Sequence, residues 1–70
     1  MKYILLAFAL AIMLSTNAQT SEDYFHSGNA KFKLKDYTGA ILDFNKAIEL
    51  NPKIAETYNN RGIAKNDLEH

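Results

Sequence analysis

Four stretches with different apolar patterns follow one another along the 70 residues of this chain. Between Tyr37 and Ile48 the apolar positions Tyr37, Ala40, Ile41, Phe44, Ala47 and Ile48 recur at steps of three and four, leaving Asp43, Asn45, Lys46 and Glu49 elsewhere on the surface. This spacing gathers the apolar set on one face of a helix, predicted over residues 37–50. Asn51-Pro52 ends it, because proline has no amide hydrogen to donate and its ring disfavours helical geometry in the residue before it. Upstream, Thr20 and Asp23 have the spacing of a capping box, and Glu22 and Asp23 suit the positive end of a helix dipole, so another helix is expected over 21–34. Lys35-Asp36 is then a turn so short that the two helices must lie antiparallel. A third helix is expected over 55–68. Gly28 falls in the middle of the first, where it costs roughly 1 kcal/mol relative to alanine, and close approach of the second helix is the natural reason for it.

The remaining stretch, Tyr3 to Leu14, is apolar without either period and follows the positive start Met1-Lys2. It is too short for a transmembrane helix, which needs about 20 apolar residues, and it fits the central region of a secretory signal peptide. Ser15-Thr16-Asn17-Ala18 turns small and polar, with Thr16 and Ala18 at the positions three and one before a cut after Ala18. Residues 1–18 are therefore expected to be a signal peptide, an uncleaved anchor being the alternative, and the mature chain to be periplasmic or secreted. Cysteine is absent, which removes a lipid-modified cysteine, disulfides and thiolate metal sites together.

A repeat runs through the rest. Glu22/Glu56, Tyr24/Tyr58, Gly28/Gly62, Ala30/Ala64, Lys31/Lys65 and Leu34/Leu68 are identical pairs, all 34 residues apart. Six identities at one offset are hard to attribute to shared helical composition, and 34 is the tetratricopeptide period. The string Tyr24, Gly28, Ala40, Phe44, Ala47 and Pro52 has that family's spacing. The chain thus resembles a tetratricopeptide repeat protein: residues 21–54 resemble one full repeat, and 55–70 the first helix of a second. The resemblance implies an all-α fold, an antiparallel helix hairpin plus one further helix cut from a solenoid. It also implies a scaffold that binds another protein or a peptide segment. The alternative is a repeat that only stacks on neighbouring repeats. Ser27 and Lys31 depart from the family, which usually has leucine and a large aromatic there, and Arg61 and Lys65 repeat the departure. Long basic side chains can lie over a packed surface and keep their charges in water.

Chemistry has little to work with. Eight acidic and eight basic residues cancel without any like-charged run, which argues against nucleic acid or a cationic membrane-active helix. His26 and His70 are far apart in sequence, no phosphate-binding glycine loop occurs, and Asp36 and Asp43 read as capping or solvated residues. No enzyme activity, cofactor or metal is expected. Tyr24, Tyr37 and Phe44 fall at family core positions. Phe25 and Phe32 project from the other side of the first helix, where such arrays line a concave groove. Asn29 and Lys33 share that side, as do Asn60 and Ile63 on the next helix. A peptide-binding surface of Phe25, Asn29, Phe32, Lys33, Asn60 and Ile63 is the resulting expectation. Packing of Phe25 and Phe32 near Ile63 is the plainer alternative. Asn29 and Asn60 also match the asparagines with which one subclass holds a terminal carboxylate, but Phe25 stands where that clamp has its first lysine.

Overall fold

The computed structural model describes residues 19–70, and the expected signal segment lies outside the described residues. Three helices follow in order: α1 (Ser21–Lys33), α2 (Tyr37–Leu50) and α3 (Ala55–Glu69). The all-α hairpin with one further helix is the architecture the periodicity predicts. α1 begins with the complete capping box. Thr20 Oγ1 accepts from the Asp23 amide at 3.1 Å and the Asp23 carboxylate accepts from the Thr20 amide at 2.9 Å, so two otherwise orphaned donors at the helix start are satisfied.

α1 stops at Lys33, one residue sooner than expected. The Lys35 amide donates to the Phe32 carbonyl and the Asp36 amide to the Lys31 carbonyl, both at 2.9 Å. This is the paired closure of a Schellman motif, which requires a left-handed residue, here Lys35 with φ 64°. Asp36 then caps α2 by accepting from the Gly39 amide at 3.0 Å. α3 runs to Glu69, and its cap residue Ile54 offers no side-chain hydrogen bond.

The core is small. Ala40, Phe44, Ala47 and Ala64 are the fully buried apolar residues among those described, with Phe25, Phe32 and Ile41 packed around them. Gly28 explains how the hairpin closes. A Cβ built there would lie 2.6 Å from Phe44 Cε1, so only glycine lets the Phe44 ring reach the α1 backbone. Tyr24 and Tyr37 are half-buried, Tyr37 meeting the Phe32 ring edge-on at 5.3 Å. Ser21 Oγ donates to the Ala47 carbonyl at 2.8 Å, tying the start of α1 to the end of α2.

Polar bonds cover the seams where the family departures fall. Ser27 Oγ donates to Asp43 at 2.6 Å, and Lys31 Nζ reaches the same carboxylate oxygen at 3.0 Å. The Asp43 side chain is only 14% exposed, so it is an interhelical acceptor and not the capping or solvated residue its sequence position suggests. Arg61 donates to Asn45 at 2.9 Å and lies over the Tyr58 ring, its guanidinium carbon 5.4 Å from the centroid. Thr57 is buried between elements, and among the described residues its hydroxyl has no hydrogen-bond partner.

Candidate functional site

α1 and α3 each pack on α2 and approach each other along a single edge. Residues three apart on a helix lie on one face, so Asn29 and Phe32 form a short stripe on α1 and Asn60 and Ile63 a matching stripe on α3. The stripes meet in register, 29 beside 60 and 32 beside 63, as expected of two helices running in the same direction. Asn60 Nδ2 donates to Asn29 Oδ1 at 3.0 Å. These four residues line a groove of about 140 Å³.

The groove is amphipathic in a simple way. One end carries two carboxamides and the other carries the Phe32 ring and Ile63, the latter 44% exposed. Among the described residues no ionisable side chain lines it. Among the described residues there is no cluster of three or more histidine, aspartate or glutamate side chains that could hold a metal. His26 meets Glu22 at 3.4 Å on the exposed face of α1. What the groove offers is a shallow apolar seat beside hydrogen-bonding amides.

Four of the six residues singled out in the sequence, Asn29, Phe32, Asn60 and Ile63, meet in this groove. Phe25 does not line it. Its ring packs on Phe44 with centroids 6.1 Å apart and meets His26 edge-on at 5.8 Å, so it belongs to the rim of the core instead of projecting away from it. The reason is geometric. Phe25 is four residues before Asn29 but also three before Gly28, and the absence of a side chain at Gly28 lets the Phe44 ring come within reach of it. Lys33 is exposed and stands outside the lining. The interhelical role of Asp43 was not legible in the sequence.

The opposite edge of α3 differs from that of α1. Among the described residues a Cβ at Gly62, the counterpart of Gly28, would meet nothing within 4 Å, and Tyr58 one turn before it is exposed. No helix among the described residues is long and apolar enough to cross a membrane.

Comparison with known proteins points to one family. The chain is 44% identical over 51 residues to the Protein STIP1 homolog of Dictyostelium discoideum, covering 73% of this chain and 9% of that protein. It is 42% identical over 62 residues to the Protein SGT1 homolog of Oryza sativa subsp. japonica, covering 81% of this chain and 17% of that protein. It is also 46% identical over 44 residues to human serine/threonine-protein phosphatase 5, covering 63% of this chain and 9% of that protein. The chain thus spans less than a fifth of the length of these relatives. No solved structure gives a significant match. The family model described as TPR repeat matches residues 28–67, from the glycine under Phe44 to the last turns of α3, and the chain belongs to the tetratricopeptide repeat family.

Proposed function

We propose that this chain is a protein-binding repeat module of an exported protein. In this reading residues 1–18 direct export and are removed after Ala18, residues 21–54 form one repeat, and residues 55–70 open a second. Tetratricopeptide repeats are interaction modules and not catalysts, and the reading assigns this chain no reaction and no cofactor. The observation that carries it is the α1/α3 groove. Asn29 and Phe32 meet Asn60 and Ile63 only because two repeats stack, and they leave an apolar seat open to solvent beside two amides. Such a pairing of an exposed aliphatic anchor with main-chain-like hydrogen-bonding groups suits capture of a polypeptide segment.

The test uses the full chain with Asn60→Ala and Ile63→Ala combined. Both residues are outside the buried core, so the melting temperature should stay within a few degrees. A partner cross-linked to the wild-type protein in its source cells should lose at least tenfold in affinity, about 1.4 kcal/mol. Undiminished binding of that partner by the double variant would move the docking surface elsewhere.

A second reading, a repeat that serves assembly alone, draws on a different face. Among the described residues the space at Gly62 is open, and with Tyr58 exposed one turn before it, it repeats the Gly28 surface on which α1 receives Phe44 of α2. That face suits a further helix of the same solenoid and does not compete with the groove for the same residues.

A further inference from the structure

We infer that Gln19 is a modification site: once the chain is cut after Ala18, the new terminal glutamine closes on itself to a pyroglutamyl ring that seals the start of α1. This rests on the reading of residues 1–18 as a removed export segment and adds the chemical fate of the end that the cut exposes. A cut there leaves glutamine as the first residue, and Gln19 is the only glutamine in the chain. Its neutral α-amino nitrogen attacks its own side-chain Cδ. An N–C bond forms in a five-membered lactam, the Cδ–Nε2 bond breaks, and the hydrogen given up by the amine leaves with the amide nitrogen as ammonia. The step is intramolecular and needs no co-reactant, and an α-amino group titrates close enough to neutrality to supply the uncharged nucleophile.

The structure places Gln19 where this can happen. It is exposed and precedes the helix. The hydrogen-bond ladder of α1 opens one residue later, with the Tyr24 amide donating to the Thr20 carbonyl at 3.2 Å. The capping box likewise joins Thr20 to Asp23, the Thr20 amide donating at 2.9 Å and Thr20 Oγ1 accepting at 3.1 Å. The start of α1 is thus built from Thr20 onwards, and ring closure at Gln19 breaks none of these bonds.

Charge and position give the ring a consequence. The N-terminal end of α1 is the positive end of its dipole, with Glu22 and Asp23 in the first turn. A terminal ammonium group one residue before the cap is repelled by that end and competes with the Thr20 amide for the Asp23 carboxylate. The lactam is neutral and removes both effects. Only Gln19 stands between the new terminus and the cap residue Thr20. An aminopeptidase that removes two residues from an open terminus therefore takes Thr20, and with it both bonds of the capping box. A lactam offers such an enzyme no free amine, so the ring preserves the cap.

The experiment takes the full-length chain and its Gln19→Ala variant, each expressed in the source cells and recovered from the periplasm or medium. The N-terminal peptide is fragmented in a mass spectrometer after incubation at neutral pH. The wild-type peptide should begin at residue 19, weigh less than its sequence by one ammonia, and resist stepwise chemical sequencing. Gln19→Ala should begin at the same position with a free amine. Under a broad-specificity aminopeptidase the wild type should stay whole, while the variant should lose its first two residues and melt at a lower temperature. A wild-type peptide that begins at residue 19 but keeps its ammonia and its free amine would overturn the ring and leave the cut after Ala18 in place. A start at any other residue would overturn the cleavage reading and the proposal with it. Equal trimming of the two proteins would overturn the protection of the cap.

Discussion

Gly28 and Gly62 occupy equivalent places 34 residues apart, yet their surroundings are opposite. At Gly28 the absent Cβ leaves room for the Phe44 ring, three of whose carbons would lie within 3.1 Å of an added methyl group. Phe44 is fully buried at the centre of the core and its ring has nowhere to retreat. Gly28→Ala should therefore destabilise the fold by about 1–3 kcal/mol, despite alanine's better helix propensity. Gly62→Ala meets open space, and the propensity gain alone should stabilise α3 by roughly 0.5–1 kcal/mol. Urea unfolding of the two variants checks the pair. Equal and opposite treatment by one sequence rule would have been wrong for one of them, and a stabilised Gly28→Ala would show that Phe44 does not rest on the α1 backbone. Thr57 and Asp43 illustrate the same point with polar groups. Among the described residues one is buried without a partner and the other is shared by Ser27 and Lys31, although neither position looks unusual in the chain.

Each helix end has its own solution, and the differences follow from local chemistry. α1 starts with a reciprocal capping box, α2 with Asp36 accepting from Gly39, and α3 with Ile54, whose side chain has no oxygen to offer. The weakest local choice is at the end of α1. Lys35 sits at φ 64°, where a Cβ crowds the backbone at a cost of about 1–2 kcal/mol and where glycine is the usual residue of a Schellman closure. The Lys35 side chain is exposed, and no hydrogen bond or ion pair ties it to the described residues. Lys35→Gly should thus raise stability by about 1 kcal/mol, reduced somewhat by the greater freedom of glycine in the unfolded chain. Thermal melts followed by circular dichroism would show it as a higher midpoint. A lower midpoint would mean that the left-handed turn is not populated in solution.

At the scale of the molecule the folded part covers few apolar residues, because one hairpin and one helix have only one shared interior. Solenoid repeats gain stability from neighbours, and the face around Gly62 and Tyr58 is one of those left uncovered among the described residues. The groove faces the other way, between the two parallel helices α1 and α3. The proposal of export belongs to this scale too, since it concerns the chain as a whole. Protein recovered from the periplasm or medium should begin at Gln19, and its intact mass should lack residues 1–18. Recovery of the uncut chain there, or confinement of all the protein to the cytoplasm, would count against an export signal.

Much was determined by the sequence alone, and for a physical reason. Helix formation and capping depend on residues within four of one another, so the three helices, the Thr20 box and the break at Pro52 are written in local order. The 34-residue identities carried the solenoid architecture, because a stacked repeat imposes the same contacts again at a fixed offset. Gly28 was legible as a close approach because a mid-helix glycine has a known cost. What tertiary structure decided was the division of α1 between two neighbours. A helix that meets α2 broadly and α3 along one edge has two buried stripes, and periodicity locates a stripe without saying which partner it meets. Phe25 therefore packs on Phe44, Phe32 both meets Tyr37 of α2 and lines the groove with Ile63, and Lys33 stays in solvent. The Asn29–Asn60 bond spans 31 residues, and Asp43 gathers its partners across 12 and 16. Such pairs depend on how the helices are set against each other, which local spacing does not encode.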